Sequence, residues 1–386
     1  MAVLNKEGET GPDSGLAADG RLLVVNAGSS TLKLAVLDGS DRLLAGETLE
    51  TPGGRVDDGD LRAVIEPHGP YAAVGHRVVH GGTELTAPVL VDEEVVERIR
   101  LLTPLAPLHQ PGAVAGLEAV GRALPGVPAV ACFDTAFHST IGAGASTYAL
   151  PLEWRQRWHL RRYGFHGLNH SYVSRRVGQL MAGRADPSKL RVVTCHLGAG
   201  ASLAAVAGGR CVDTTMGFTP LEGLVMATRS GSVDPGLVLW MAHTAGLSVE
   251  EISDGLERKG GLLGLAGTAD MREVLAREAA GDERATLAMQ VYLHSLRACV
   301  AAMAASLGGL DALVFTGGIG EHSAEVRRRA VDGLGFLGAR LDPEANEAAG
   351  EVAEISPSGS AAACYVVAAR EDLEIARGVR EVLLRH

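Results

Sequence analysis

The eight residues Asn26-Ala-Gly-Ser-Ser-Thr-Leu-Lys33 carry more information about the fold than any other stretch of this chain. The apolar run 22–25 leads into them, and an alternating run from Leu32 to Leu37 leads out. This pattern predicts a strand, a tight turn and a second strand. The turn combines small residues, three hydroxyls and one ammonium group, which suits close contact between the backbone and an anion. An ordinary serine-rich hairpin has the same pattern, so both interpretations stay open.

The composition is that of an ordinary globular protein. Of its 386 residues, 46% are hydrophobic and 21% charged, and the length suits two domains. No run of about 18 apolar residues and no secretory signal pattern appears, so neither a membrane span nor export is predicted. Residues 1–20 are predicted to form a flexible tail. The net charge of −11 argues against a nucleic-acid surface, so an anionic substrate must be met by local cations.

The cysteines occur without a CxxC pair, and two lie in apolar runs typical of strands. They are Cys132, Cys195, Cys211, Cys299 and Cys364. Buried free thiols in a reducing cytoplasm explain this distribution better than disulfides or zinc.

Short apolar runs alternate with amphipathic stretches along the chain, which predicts an α/β fold with largely parallel sheets. The predicted strands are 22–25, 127–133, 191–195, 312–316 and 364–368, and the predicted helices include 92–103, 113–123, 170–182 and 284–307. Residues 191–208 repeat the plan of the N-terminal hairpin, and this repetition indicates two related domains facing each other. Chance similarity between two glycine-rich hairpins is the alternative.

A third glycine-rich turn, Phe315-Thr-Gly-Gly-Ile-Gly-Glu321, follows a predicted buried strand. Glycines in this position commonly mark backbone pressed against a ligand. The spacing is not that of a dinucleotide fingerprint, and no GxxxxGK[ST] occurs. Three such turns without either motif still fit nucleotide binding through another scaffold.

Four segments place charged or ionisable side chains in apolar or glycine-rich surroundings. They contain Arg77 and His80, Asp134, His166 and His170, and Arg229. Each group alone has a structural explanation, such as a satisfied buried histidine or a helix-capping arginine. The two histidines could suggest a metal pair, but no third ligand has suitable spacing, and no GxSxG elbow supports a serine hydrolase. Two arginines, neutral histidines and one carboxylate beside phosphate-type turns favour phosphoryl transfer.

Ten motifs follow one another along the chain: NAGSSTLK, GHRVVHGG, PLAPLHQP, FDTAFH, YGFHG, HLGAGAS, TTMGFTPLEGL, DMR, FTGGIGE and REDLEIAR. They contain Arg77, His80, Asp134 and His166, and from about residue 22 to 380 they resemble, in the same order, the motifs of acetate kinases. The resemblance implies the superfamily of acetate and sugar kinases, heat-shock ATPases and actin, with two duplicated, actin-like (ribonuclease H-like) domains around a nucleotide cleft. It implies an N-terminal domain of residues 21–160 plus 373–386 and a C-terminal domain of residues 161–372.

The resemblance also implies a role for each matching residue. Asp134, His166 and Arg229 would be catalytic, and Arg77 would hold the acetate carboxylate. The pocket for the substrate methyl group would be formed by Val79, Leu108, Phe165 and Pro220. The nucleotide and its phosphates would be bound by Ser29, Thr31, Lys33, His196, Leu197, Gly198, Ala199, Gly200, Asp270, Met271, Arg272, Gly318, Ile319, Gly320, Glu321 and His322. Asn26 and Glu371 would hold Mg²⁺, with Mn²⁺ as an alternative ion.

Three positions depart from the family pattern: Ala199 stands where an asparagine is usual, His322 where asparagine is commonest, and Ser232 where aspartate is common. These departures bear on the nucleotide side and leave the acceptor-site arginines intact. The implied reaction is reversible, ATP- and Mg²⁺-dependent phosphorylation of acetate to acetyl phosphate by a cytoplasmic homodimer. A propionate or other short-chain carboxylate kinase, and a nucleotide-binding module without transfer chemistry, are the alternatives.

Overall fold

The computed structural model describes residues 20–27, 31–51 and 56–385, and these form two six-stranded sheets with helices packed against them. Ser29 and all but the last residue of the predicted 1–20 tail lie outside the described residues. The strands are β1 (Leu22–Ala27), β2 (Thr31–Leu37), β3 (Leu43–Glu50), β4 (Ala73–Val78), β5 (Val89–Leu90), β6 (Ala129–Phe133), β7 (Arg191–Leu197), β8 (Ala201–Ala207), β9 (Arg210–Thr214), β10 (Ala312–Thr316), β11 (Val352–Glu354) and β12 (Ala363–Val367).

The two sheets have the same plan. The first has the order β3-β2-β1-β4-β6-β5, and the second, written in the same direction, β9-β8-β7-β10-β12-β11. Each strand of the first sheet therefore has a counterpart six strands later in the chain, which confirms the predicted α/β class and internal duplication.

The prediction of largely parallel sheets is wrong. In each sheet only two neighbouring pairs run parallel, and three are antiparallel. The reason is the hairpin that opens each half, because a connection of a few residues can join only antiparallel neighbours. The predicted strands themselves are all present, with bounds shifted by one or two residues.

The α-helices cover the sheets and form the connections between strands. They are α1 (Asp58–Ile65), α2 (Glu93–Leu101), α3 (Gln110–Ala123), α4 (Ala143–Ser146), α5 (Leu152–Trp158), α6 (Gly167–Leu180), α7 (Pro235–His243), α8 (Val249–Glu257), α9 (Gly261–Ala266), α10 (Met271–Ala279), α11 (Glu283–Leu307), α12 (Gly317–His322), α13 (Ala324–Asp332), α14 (Pro343–Glu347) and α15 (Glu371–Leu383). All four helices predicted from the sequence are present as α2, α3, α6 and α11.

Among the described residues one helix, α11, is long and apolar enough to cross a membrane by length and composition alone. It packs against β7, β8 and α10, and its Leu293, Leu296 and Val300 are buried in the main core cluster. Its apolar character is thus explained by a place in the protein core.

Several contacts between described residues link the halves of the chain, among them those of α15 and of Val79. Helix α15 follows the last strand of the second sheet, yet it packs across β4 and β6 of the first. Val79, at the end of β4, belongs to the same hydrophobic cluster as Phe165 and Leu224 from the second half. The residue ranges given above for the two domains stay a prediction, but the two sheets meet through these elements.

Candidate active site

The first group of predicted site residues lies at one edge of the first sheet. Asn26 on β1 is paired in register with Arg77 on β4, and Arg77 is paired with Cys132 on β6, two residues before Asp134. Because these three strands are parallel, their carboxyl ends meet at the same edge, where α/β folds present ligand groups. Sequence-distant polar residues are thereby brought together.

The centre of this group is a salt bridge between Arg77 and Asp134. Arg77 donates from Nη2 and Nε to Asp134 Oδ2 at 2.6 and 3.1 Å, and Asp134 is only 1% exposed. Arg77 Nη1 donates to Asn26 Oδ1 at 3.1 Å and lies 3.7 Å from Glu371 Oε2. The four side chains form one partly buried ionic cluster.

Burial and charge act in opposite directions on the two ions. Burial raises the pKa of Asp134, and the Arg77 guanidinium acts against that rise. Burial works to lower the pKa of Arg77, but Asp134 and Glu371 together raise it above its usual value. Arg77 is therefore a fixed cation in this cleft.

His166 stands at the start of α6 in a conformation that side chains rarely adopt. Its φ of 58° lies in the left-handed region, where a non-glycine residue is strained and often functional. Its ring stacks on His196, with centroids 4.2 Å apart and planes 21° apart. Burial, with the neighbouring His196 and Arg77, holds the pKa of His166 well below its ordinary value, so the imidazole is neutral.

His196 is held by the amide of Asn169, which no sequence motif had indicated. Asn169 Nδ2 donates to His196 Nδ1 at 2.7 Å and to Thr316 Oγ1 at 3.2 Å. His196 Nδ1 therefore accepts, and its Nε2 carries the hydrogen of the neutral ring. Burial lowers the pKa of His196 as well.

Arg229 completes this part of the cleft from a loop of the second half. Its Nη1 donates to the carbonyl of Pro220 at 3.2 Å, and it forms no salt bridge with any of the residues that the structure describes. Burial lowers its pKa. A guanidinium that is largely buried without a carboxylate partner is available to an anionic ligand.

His166 and Arg229 meet beside Gly200. A Cβ atom placed on Gly200 would lie 3.3 Å from His166 Nε2 and 3.5 Å from Arg229 Nη1, so a larger residue here would crowd the His166 ring. Burial and the charges of Arg229 and Arg77 lower the pKa of His109 to about 4, and the charges of the same two arginines also lower the pKa of His166. These side chains therefore lie within electrostatic range of one another, as the predicted convergence on one cleft requires.

A cavity of about 860 Å³ lies beside the glycine turns of the second half. Backbone and small side chains form much of its wall, and Gly317, with φ of 76°, lets the chain turn into α12 at its edge. It is lined by Gly198, Ala199, Ala227, Ala269, Asp270, Met271, Arg272, Leu275, Gly318, Ile319, His322, Ser323, Ala324, Glu325 and Glu347. Its volume lies within the range of small-molecule binding sites.

The sequence and fold match known proteins over nearly the whole chain. The family model described as the acetokinase family matches residues 60–377. This chain belongs to the acetokinase family. It is 46% identical to the acetate kinase of Deinococcus deserti over 94% of this chain and 97% of the relative.

Solved structures of this family show the same fold. The structure of the acetate kinase of Porphyromonas gingivalis matches with a TM-score of 0.87 and 34% identity, over 94% of this chain and 100% of that chain. The structure of a propionate kinase from Francisella tularensis matches with a TM-score of 0.86 and 35% identity, over 93% and 98%. Family membership leaves both short-chain acids as candidate acceptors.

Not every residue assigned to the nucleotide by resemblance to the acetokinase family lines the cavity. The side chain of Leu197 is fully buried in the core. Glu321 Oε1 accepts from the backbone N–H groups of Gly317 and Ala369 at 2.7 and 2.9 Å, so it braces the turn. Lys33 lies outside the cavity and lines a smaller one, of about 270 Å³, with Asn26 and Glu371 among others. Their nucleotide roles, like that of Thr31, stay predictions.

The residues assigned to the pocket for the substrate methyl group differ in how far they are buried. Val79 and Phe165 are buried in the shared core cluster, whereas Leu108 is 44% exposed. Pro220 contributes the carbonyl that holds Arg229. Leu108 therefore does not close a pocket in this conformation, and its assignment stays a prediction.

Sequence reasoning assigned no role to several residues that shape the site. His109 follows Leu108 directly within the motif PLAPLHQP, so the motif could have pointed to it. Arg327, 2% exposed, donates to the carbonyls of Gly320 and Glu321 and so anchors the end of α12. Nothing in the sequence around Arg327 distinguishes it from other helical arginines.

Proposed function

We propose that this chain catalyses the reversible transfer of the terminal phosphoryl group of ATP to acetate, forming acetyl phosphate and ADP. The convergence of Arg77, His166 and Arg229 on one cleft beside the 860 Å³ cavity carries the proposal. Phosphoryl transfer requires that two anions be held in line and that charge on the moving group be neutralised. Two guanidinium groups and a neutral imidazole supply these functions.

Repulsion between anions is the main obstacle to this reaction, because acetate, with a pKa of roughly 4 to 5, is already ionised at neutral pH. No base is needed to activate it, so Asp134 positions Arg77. Asp134 uses the Nε and Nη2 side of the guanidinium, and N–H groups on Nη1 and Nη2 remain for a substrate carboxylate. Arg229 and His166 would then stabilise charge on the transferring phosphoryl group.

Mg²⁺ is the proposed cofactor, with Mn²⁺ as an alternative. Asn26 Oδ1 and Glu371 Oε2 lie 3.1 and 3.7 Å from Arg77 Nη1, so two oxygen atoms are close together here. Such a pair fits Mg²⁺, which takes few protein ligands and completes its coordination shell with water and phosphate oxygens. The described residues contain no cluster of three or more His, Cys, Asp or Glu side chains that could hold a metal by themselves. When bound, the ion would neutralise phosphate charge.

The preference between acetate and propionate as substrate depends on the volume of the pocket around Val79 and Phe165. One methylene group is worth only about 1–3 kcal/mol in such a pocket, so the residues set a preference and not an absolute rule. We expect kcat/KM for acetate to exceed that for propionate, and Val79→Ala to shift the ratio towards propionate. A wild-type preference for propionate would overturn the choice of acetate.

The alternative of a nucleotide-binding module without chemistry is tested by trapping the product. Acetate, ATP, Mg²⁺ and hydroxylamine should yield acetohydroxamate in proportion to enzyme. Nucleotide binding without hydroxamate would favour the module. The presence of Arg77, Asp134, His166 and Arg229 in one cleft supports the kinase.

We also propose that the protein is a cytoplasmic homodimer, with α7 in the contact. This helix is apolar on every side, yet Leu237, Leu239 and Trp240 are 45%, 60% and 54% exposed. Helices of this composition are normally buried. Residues 235–249 carry no Asp, Glu, Lys or Arg, so a second copy of the same uncharged face is a suitable partner. Sedimentation equilibrium of the wild type and of Leu239→Glu would test this, and monomeric wild type would overturn it.

A further inference from the structure

Behind His166, on the side away from the cleft, a chain of short hydrogen bonds runs into the second sheet. His166 Nδ1 lies 2.9 Å from Ser202 Oγ, which lies 2.7 Å from His170 Nε2. His170 Nδ1 lies 2.7 Å from Thr194 Oγ1. Ser202, His170 and Thr194 are fully buried, and none of them lines the nucleotide cavity.

If every hydroxyl hydrogen in this chain is to be donated, two arrangements are possible. Each neutral imidazole has one N–H and one lone pair, and each hydroxyl has one hydrogen. In the cleft-donating arrangement, Thr194 donates to His170 Nδ1, His170 Nε2–H donates to Ser202, and Ser202 donates to His166 Nδ1. The hydrogen of His166 is then on Nε2 and faces the cleft.

In the cleft-accepting arrangement every bond runs the other way. His166 Nδ1–H donates to Ser202, Ser202 donates to His170 Nε2, and His170 Nδ1–H donates to Thr194. Thr194 then donates to the carbonyl of Ala204, at 3.4 Å. Each ring and each hydroxyl keeps one hydrogen in both arrangements. They differ only in which ring nitrogen is protonated and in the rotation of two hydroxyls.

Which of the two arrangements is more stable depends on the charge that faces His166 Nε2. Without an anion, the cations that act on His166 are Arg77 and Arg229, and their charge favours a lone pair on Nε2. A phosphoryl group between them favours an N–H instead. His196 differs, because Asn169 fixes its Nδ1 as an acceptor in both cases.

We propose that Ser202, His170 and Thr194 are positioning residues that set the tautomer of His166, so that its Nε2 accepts in the free cleft and donates to the phosphoryl group during transfer. The proposal rests on the proposed role of His166 in transfer. It also explains why His166 and His170 lie four residues apart: His170 acts on His166 through the Ser202 hydroxyl and not through a shared metal ion.

Kinetics of variants outside the cleft test the relay. Ser202→Ala, which removes the link between the rings, should lower kcat about 10-fold, as loss of such supporting hydrogen bonds often does, with KM for acetate and ATP changed less than about twofold. Thr194→Val should lower kcat by less, and Thr194→Ser, which keeps the hydroxyl, should restore it. Unchanged kcat in Ser202→Ala, or equal loss in Thr194→Ser and Thr194→Val, would overturn the proposal.

Nitrogen NMR of ¹⁵N-histidine-labelled protein reads the tautomer without reference to activity. His166 Nε2 should give a pyridine-type signal in the free protein and a pyrrole-type signal with MgADP, aluminium fluoride and acetate, and His166→Gln assigns it. His196 Nε2 should be pyrrole-type in both states. The same tautomer of His166 in both states would overturn the relay. If His166→Gln retained full kcat, the proposed role of His166 in transfer would be refuted. The spectra would still test whether the tautomer of His166 changes.

Discussion

The two sheets share one plan, yet they place different chemistry at equivalent positions. The register of the opening hairpins aligns Asn26 with His196, because each lies one position before the last pair of its hairpin. The parallel neighbours then align Arg77 with Thr316. The first half carries an amide and a cation where the second carries an imidazole and a hydroxyl.

This difference separates two tasks on one scaffold. In the first half, Arg77 pairs with Asp134, and Glu371 from the second half lies 3.7 Å from the same guanidinium. The second half has glycine turns, neutral imidazoles and an open cavity. A duplicated backbone can therefore concentrate ion pairs in one half and leave an open cavity in the other. Arg229 and Glu371 are the exceptions, because both are charged residues of the second half that act together with the first.

Removal of Arg229 is the strongest test of that division. Arg229→Ala should lower kcat on the order of 10²–10³-fold, by analogy with the loss of one transition-state donor. Its guanidinium has no carboxylate partner among the described residues, so the substitution strands no buried anion and the fold should persist. Steady-state kinetics in the acetyl phosphate-forming direction, with circular dichroism as a check on folding, measure the effect.

Arg122→Ala is the matched control for this substitution, because Arg122 is an exposed arginine of the first half that pairs with Asp58. It should leave kcat unchanged. A loss below fivefold in folded Arg229→Ala would remove Arg229 from the mechanism and confine the charged chemistry to the first half.

The fold was largely predictable from the sequence because its signals are local. Apolar runs such as 191–195 and 312–316 mark buried strands, and the two hairpins reveal the duplication. Strand direction was mispredicted, since periodicity reports burial and carries no information on which neighbour pairs with which. The mixed strand directions could have been predicted only by counting the short connections in each half, because each short connection joins two antiparallel strands.

The site was predictable where a motif carries it and not where tertiary contacts do. Arg77 and His166 lie in recognisable motifs and Arg229 lies beside a glycine turn, and in the structure the charges of both arginines act on His166. The pairing of Asn169 with His196 joins residues 27 positions apart through side chains alone. No periodicity or spacing encodes such a contact, so its members read as ordinary polar residues of a helix and a strand.

The two halves also differ in how they hold buried histidines, and this difference affects stability. His170 of the second half is hydrogen-bonded at both ring nitrogens, whereas His76 Nε2 of the first half is buried with no partner among the described residues. Burial lowers the pKa of His76 from 6.5 to about 3. Below pH 6.5 the unfolded chain takes up this proton and the folded protein does not, so the free energy of unfolding falls as the pH falls.

His76→Leu should remove this dependence. Between pH 6 and pH 4, roughly, the free energy of unfolding should fall less steeply in the variant than in the wild type, by about 1.4 kcal/mol per pH unit. Urea unfolding followed by circular dichroism at several pH values measures the slope. Parallel curves for the two proteins would mean that the folded protein binds the His76 proton as readily as the unfolded chain does, which would contradict a lowered pKa for His76.

The smallest expected effect concerns Ala199, where the second half departs from the acetokinase pattern. Ala199 is exposed at the wall of the nucleotide cavity, so a larger side chain has room there. Ala199→Asn adds an amide that can donate to a phosphate, and one hydrogen bond to a charged group is worth about 1.5 kcal/mol, which corresponds to roughly a tenfold lower KM for ATP. KM for acetate should not change, because Arg77 and Asp134 belong to the first half and do not contact Ala199. Ala280→Asn, at an exposed position after α10, is the control for a general effect of asparagine. An equal change in both Michaelis constants would show that the two halves do not act separately on the two substrates.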